Sequence, residues 1–433
     1  MAYNIGVLGL GTVGAGTVDI LQNPEGRHPL LGELNLYRVG VRDVNKPRNV
    51  QLSPELLTTD LEAIVTDEAV DIVVELIGGL EPARSLILQA IAHGKHVVTA
   101  NKAVISRYGE EIFEAANAAG VYVMLEAAVG GGIPVIKPLK EALGVNRIQS
   151  VIGIINGTTN YILSRMQAEG SDFGDVLADA QSLGYAEADP TADVDGLDAA
   201  DKMAILAALA FGGRIKREEI FCDGIRHVSA ADISYAEKLG FRIKLLAIAS
   251  RETPQTETDR LQIRVHPTLV PHSHPLASVN GVYNAILVEG DPLGPVMFYG
   301  QGAGAGPTAS AVVSDIVSIG AILKTETEPV PHPLLSCPHQ HYCTLTPIEE
   351  INTRFYVRLM AQDVPKVIGH LGMAFGDRGV SLESVVQIGF HEGLAEIVIV
   401  THETPEGSFR DALEDVKKLD AIASIPSTIR VLS

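Results

Sequence analysis

Asn4 to Leu8 is a short apolar, β-like run, and the glycine cluster Gly9-Leu10-Gly11-Thr12-Val13-Gly14 follows it without a gap. The apolar, helix-like AGTVDIL continues from there. In this order of strand, turn and helix, the G-x-G-x-x-G spacing predicts a dinucleotide-binding crevice. Gly9 permits the tight turn, Gly11 lets a pyrophosphate approach the backbone, and Gly14 lets the helix lie close on the sheet. Thr12 and Val13 open the helix, whose unpaired N–H groups face the phosphates. The competing reading is a purely structural glycine turn. The strand before the motif and the helix after it favour the crevice.

The second strand is expected over Leu36–Val41, ending in Val41-Arg42-Asp43 with Lys46 and Arg48 close behind. A carboxylate at this strand end suits a ribose 2′-hydroxyl, and an arginine suits a 2′-phosphate. Arg42 therefore favours NADP, while Asp43 keeps NAD open. AVDIVVELIGG, EPARSLILQAIAHG, KHVVTANKAVI and VYVMLEAAVGGGIPVI then alternate strand and helix patterns, which implies a parallel, doubly wound sheet. Ligands of such sheets sit at the carboxyl ends of the strands, which singles out Gly78 and Lys102. For Lys102 the plain alternative is a solvated surface lysine.

The 433 residues suggest two to four domains. A net charge of −20 repels nucleic-acid phosphate and anionic membranes, so neither is an expected partner. No uncharged apolar run approaches the roughly 20 residues that span a bilayer. The odd, sparse set of Cys222, Cys337 and Cys343 fits a reducing compartment without disulfides. The N-terminal segment reads as a strand rather than a targeting signal, so the expected location is cytoplasmic.

The segment YAEADPTADVDGLDAADK, Tyr185 to Lys202, crowds acids against one lysine ahead of the apolar MAILAALAF. On a helix, Asp198 and Lys202 share one face. A proton-transfer site, a capping loop and a metal site are the three readings. EF-hand spacing is absent and no histidine is interleaved, which disfavours the metal. Asp189, Asp195 and Asp201 are expected to cap helices or face solvent.

With NGTTNYIL at Asn156–Leu163, and with Ala180, Gly184, Asp189-Pro190, Asp193, Gly196, Asp198 and Lys202 at their spacing, the chain resembles homoserine dehydrogenases of the longer form. GLGTVG, TANKAVIS, EAAVGGGIPVI and GQGAGAGPTASAVVSD extend the resemblance over nearly the whole chain. It implies reversible hydride transfer between NAD(P)H and the aldehyde of aspartate semialdehyde. It further implies a sodium or potassium ion near Glu126, Val129, Gly131 and Ile133, substrate binding by Glu187 and Asp198, and proton transfer attended by Lys102 and Lys202. Gly184 is expected near the cofactor and Thr158 near the substrate. Read from the residues themselves, a lysine ammonium can protonate a developing alkoxide, and Glu187, Asp193 and Asp198 are natural receptors for the substrate α-ammonium. Burial and a helix N-terminus lower a lysine pKa while carboxylates raise it, and the sequence leaves that balance open. Glycines in EAAVGGGIP free carbonyls that, with one carboxylate, suit a hard cation. In Gly300–Ser310 the chain returns to the crevice, where Gly304 or Gly306 can approach the cofactor.

A proline-rich stretch then breaks the periodicity. It contains CPHQHYC, with Cys337, His339, His341 and Cys343 at a spacing that matches no zinc pattern. From Asn352 the order is β-α-β-β-α-β, which is ferredoxin-like and resembles an ACT domain, except that Lys366 stands where most such domains carry glycine. The resemblance implies L-threonine as effector, bound where two ACT domains pair in a homodimer or homotetramer. A tail that serves only oligomer assembly is the alternative. The expected organisation is thus an α/β chain of three domains. A Rossmann-type doubly wound nucleotide-binding domain covers residues 1–133 with a return segment at 305–325. An α+β catalytic and dimerisation domain covers 134–304, a linker 326–349, and an ACT domain 350–433. Two other functions compete: an acylating semialdehyde dehydrogenase, which needs a nucleophilic cysteine, and a nucleotide-bound amino-acid sensor without catalysis.

Overall fold

The computed structural model describes residues 2–252, 260–325, 332, 334–335, 337, 339 and 341–432. The chain forms two compact units, one of residues 1–151, 201–217 and 284–342, the other of residues 152–200, 218–283 and 343–433.

The first unit carries the predicted sheet. Strands β1 (Tyr3–Leu8), β2 (Leu34–Gly40), β3 (Leu57–Thr58), β4 (Ile72–Glu75), β5 (His96–Thr99) and β6 (Val123–Met124) run parallel in the order β3-β2-β1-β4-β5-β6. This is the doubly wound order with its switch point beside β1. Alternate residues of β1 face opposite helices, because side chains on a strand alternate. Ile5 and Val7 join the core built with Val312, Ile316 and Ile319, while Gly6 lies under Ile64. Helices Thr12–Gln22, Ala83–Ala92 and Lys102–Ala119 follow β1, β4 and β5. The return helix spans Ala305–Thr325. By length and composition it could cross a membrane, yet half of that stretch is buried, with Val312 and Ile316 inside the nucleotide-domain core. The described linker residues up to Tyr342 also belong here, while those from Cys343 onward belong to the second unit. Cys337 O accepts from Asn117 Nδ2 at 2.9 Å, and Leu335 O accepts from Lys140 Nζ at 2.8 Å.

In the second unit, antiparallel strands Phe241–Arg251 and Arg260–Pro271 continue directly into the C-terminal domain, because Arg260–Pro271 pairs in parallel with Ile422–Val431. That domain orders its strands Ile422–Val431, Asn352–Ala361, Leu394–Thr401 and Leu382–His391, which is the predicted ferredoxin-like sheet. Phe355, Val357, Leu359 and Ala361 face its two helices and build its core with Leu371, Phe375 and Phe409. On the opposite face Arg358 reaches the Ala230–Lys238 helix. Its Nε donates to Asp232 Oδ1 at 2.7 Å and its Nη1 to Glu396 Oε1 at 3.0 Å. Burial alone would lower the Arg358 pKa, but Asp232 and Glu396 outweigh it and raise it. Tyr235 also donates to Glu396, at 2.6 Å. Removing one member would strand a buried charge, which costs about 3–5 kcal/mol.

Lys366 occupies the left-handed region at φ 80° as the N-cap of helix Val367–Gly376. A Cβ disfavours this conformation, and glycine does not. Lys366→Gly is therefore expected to stabilise the C-terminal domain by about 1 kcal/mol, read as slower amide exchange in Asn352–Ala361. Unchanged or faster exchange would contradict this account of the strain.

Candidate active site

At the carboxyl edge of the parallel sheet, backbone approaches backbone. A Cβ on Gly14 would meet the Gly9 carbonyl oxygen at 2.2 Å, and one on Gly9 would meet the Leu76 oxygen at 2.8 Å. Around Gly11 there is nothing within 4 Å of such an atom. The helix that starts at Thr12 has no side-chain cap at Gly11 and no acid in its first turn. Its N–H groups and dipole are thus directed at open space beside Gly11, Thr12 and Val13, which fits an anionic pyrophosphate. Arg42 follows β2 and is exposed, beside an Asp43 carboxylate that accepts from Asn45 N at 2.8 Å. Arg48 is spent on its own loop, donating to the carbonyls of Asp43, Val44 and Lys46.

Gly78 follows β4 and Lys102 follows β5, so both stand at the same edge. Lys102 opens its helix directly after Asn101, whose side chain caps Val104 N at 3.2 Å. The same helix carries Arg107, which pairs with Asp201 at 3.3 Å, and Arg217 holds the other Asp201 oxygen at 2.7 Å. Asp201 is only 7 % exposed, so the expectation that it caps or faces solvent is corrected: it is a buried ion-pair partner. Lys202 follows it, 9 % exposed, on the helix Leu197–Phe211 predicted for it.

In the loop after β6, Glu126 has backbone partners of its own. Glu126 is 2 % exposed, and its carboxylate accepts from Val135 N, Ile136 N and Lys137 N at 2.7–2.9 Å. It caps the Ile136–Lys140 helix with both oxygens. Carbonyls of Glu126, Val129, Gly131 and Ile133 could serve a cation beside this occupied carboxylate. Glu126 N is held in turn by Asp315 Oδ2 at 2.8 Å, while Lys137 Nζ lies 3.0 Å from Asp315 Oδ1. Burial pushes the Asp315 carboxyl up to about 6 against the opposing pull of Lys137. Gly131 lies against Gly302, whose other neighbour is the buried Asn284. Neither polar atom of Asn284 has a hydrogen-bond partner among the described residues, so this buried amide could serve a polar ligand. Gly304, at φ 120°, and Gly306 mark the start of the return helix, which meets the first helix at Gly16.

The acids lie in the second unit. Asn156 donates both Nδ2 protons to carboxylates, to Asp193 Oδ1 at 2.7 Å and to Asp198 Oδ2 at 2.9 Å. Its Oδ1 caps the Gly157–Glu169 helix at Thr159 N, 2.9 Å away. Thr158 Oγ1 donates to Tyr185 O at 2.7 Å, and Gln181 Nε2 donates to Glu187 O at 3.0 Å. The Glu187 side chain is exposed. Gly184, expected beside the cofactor, stands in this unit on the turn after helix Phe173–Ser182. Asp189 accepts from Thr191 N at 3.1 Å, and the part-exposed Asp195 pairs with Arg226, in line with the cap-or-solvent reading. Cys222 Sγ contacts Ile220 O at 3.6 Å and is set in a two-residue strand. Among the described residues, no group of three or more His, Cys, Asp or Glu side chains is placed to hold a metal, so CPHQHYC forms no such site there. Reasoning from sequence missed Asn156 as the tie between Asp193 and Asp198. The available signal was an asparagine in N-cap position before an apolar helix.

The family model described as Homoserine dehydrogenase matches residues 134–317, and that described as Homoserine dehydrogenase, NAD binding domain matches residues 9–126. An ACT domain model matches 355–421. A homoserine dehydrogenase of Synechocystis sp. is 68% identical over 434 residues, covering 100% of both chains. One of Pseudomonas aeruginosa is 43% identical, over 99% of this chain and 98% of its own. The crystal structure of a homoserine dehydrogenase from Thiobacillus denitrificans matches with a TM-score of 0.91 at 44% identity, over 100% and 99% of the two chains. A hyperthermophilic archaeal homoserine dehydrogenase in complex with NADPH matches at a TM-score of 0.63 and 29% identity, covering 75% of this chain and 99% of its own.

Asn156→Ala removes a cap and leaves two carboxylates without their shared donor, so it is expected to cost about 1–2 kcal/mol in urea unfolding. Asn156→Ser should recover the cap contribution only. Equal stability of all three proteins would contradict the tie.

Proposed function

Since the chain belongs to the homoserine dehydrogenase family and is an oxidoreductase acting on a CH–OH group, we propose that it interconverts L-aspartate 4-semialdehyde and L-homoserine with NADP as preferred cofactor and L-threonine as feedback effector. The observation that carries this reading is a single helix, Leu197–Phe211, with buried Asp198 and buried Lys202 one turn apart. The nicotinamide cofactor, when bound, supplies the hydride to the aldehyde carbon.

Lys202 gives the proton to the developing alkoxide and stabilises its charge, with more effect for being buried than it would have in water. Lys102 attends the same transfer. Asp193, Asp198 and Glu187 receive the α-ammonium of the substrate, with Thr158 beside them. Asn156 orients the first two carboxylates before the substrate arrives, so little reorganisation is left for the binding step. Arg42 meets the 2′-phosphate of NADP, and Gly9, Gly11, Gly14, Gly78, Gly304 and Gly306 are the close-approach positions for the nucleotide. Gly184 is retained as a cofactor contact. A sodium or potassium ion is held by carbonyls of the Glu126–Ile133 loop, with Asn284 as the polar neighbour that supports this choice.

Feedback is supported by the way the C-terminal domain is tied to the substrate acids within the second unit. Arg430 is held by Glu406 at 2.9 Å, lies 4.7 Å over Phe221, and reaches Asp223 at 3.6 Å. Ile225 N bonds Val194 O at 2.8 Å, and a Cβ on Gly224 would meet that same oxygen at 2.3 Å. Val194 adjoins Asp193, so contacting atoms connect the strand that carries Arg430 with a proposed substrate carboxylate. Threonine acts through this path if it binds two states of the C-terminal domain with different affinity. Pairing of C-terminal domains in a homodimer or homotetramer supplies the effector interface.

Lys202→Met is expected to lower kcat at least about 1000-fold while NADPH affinity, read by fluorescence titration, stays within about twofold. Near wild-type turnover would remove the lysine from the chemistry. Steady-state rates with NADPH and NADH, each with and without threonine, are expected to favour NADPH and to fall with threonine. Arg42→Ala should narrow the cofactor preference by about tenfold.

A further inference from the structure

The carboxylate of Glu75, fully buried at the end of β4, accepts three donors. Its Oε1 accepts from Ile77 N at 2.9 Å and Gly78 N at 3.2 Å, and its Oε2 from Thr99 Oγ1 at 2.6 Å. Thr99 Oγ1 accepts in turn from Asn101 N at 3.0 Å, and Asn101 Nδ2 donates to Gly79 O at 2.7 Å. The bonds close a ring between the carboxyl ends of neighbouring strands β4 and β5, where Glu75 and Thr99 stand in register. Lys102 is the next residue after Asn101, and Leu76, next after Glu75, lies against Gly9.

We infer that Glu75 is a positioning residue that locks the Leu76–Gly79 turn and the Asn101–Lys102 turn into one register through Thr99. This rests on the role given above to Lys102. The chemistry requires an acceptor with no donor of its own, because two N–H groups and one O–H converge on it. A glutamine has one acceptor and one donor end. Either orientation sets an N–H against a donor or leaves the Thr99 hydroxyl without its acceptor. Thr99 is also fully buried, so its hydroxyl has no water to fall back on. The ring is specific in direction: Glu75 sets the turn directly, and Thr99 passes the constraint to Asn101 and hence to the lysine.

The test uses the full chain and reads NADPH affinity and kcat separately in Thr99→Val, Thr99→Ser, Glu75→Gln and Lys102→Met. Thr99→Val removes the Oγ1 link to Asn101 and one of the three Glu75 donors but leaves the two N–H bonds that hold the Leu76–Gly79 turn, so kcat should fall about tenfold or more with NADPH affinity within about twofold, and Thr99→Ser should restore kcat. Glu75→Gln should weaken both by about tenfold or more. If Glu75→Gln fails to fold, the Thr99 pair still decides the matter. Wild-type kcat in Thr99→Val beside an inactive Lys102→Met overturns the ring alone. Wild-type kcat in Lys102→Met overturns it together with the reading on which it rests.

Discussion

Close contact between backbone segments at the carboxyl edge of the parallel sheet governs the nucleotide-binding unit. Gly14 can stand over the Gly9 carbonyl, and Gly9 over Leu76, only because neither has a Cβ. That crowding brings the first helix to its place and points its uncapped N–H groups at open space. It also sets the Leu76–Gly79 turn directly behind the glycine loop, where Glu75 can gather its donors. A parallel sheet covered on both faces leaves its strand ends as the place where polar groups converge, and here they do so in a hydrogen-bonded order.

The second unit solves another problem, which is how to keep many acids near one another in a chain with a net charge of −20. Asp193 and Asp198 share the amide of Asn156, Asp195 meets Arg226, and Asp189 accepts a backbone N–H. The C-terminal domain is attached by the same means. Asp232, Glu396 and Arg358 form a buried group, and Glu406 holds Arg430. Such groups contribute less to stability than to register, because their desolvation offsets most of their attraction.

Features with local causes were legible in the sequence. The glycine motif, the alternation of strands and helices, the ferredoxin-like order of the tail and the placing of Asp198 and Lys202 one turn apart on a helix all depend on residues a few positions apart. What escaped depends on distant partners. Nothing local marks Glu75, whose third donor is 24 residues away, or Asp315, which holds an amide 189 residues away. Asp201 looked like one more acid in a run, and the distant Arg107 and Arg217 hold it in a buried place. Nothing local shows that the Glu126 carboxylate caps a helix whose start lies beyond three glycines. The strained backbone of Lys366 was half visible, as a departure from the glycine usual in that position.

In the proposed reaction, hydride passes to the aldehyde carbon of L-aspartate 4-semialdehyde and a proton to its oxygen. The most direct measurement supplies purified protein with that aldehyde and NADPH carrying deuterium as the transferred hydride, then weighs the product by mass spectrometry. The account predicts L-homoserine with one deuterium on its hydroxyl-bearing carbon, formed in equal amount to the NADPH consumed. Homoserine without the label, or loss of NADPH without homoserine, would contradict it.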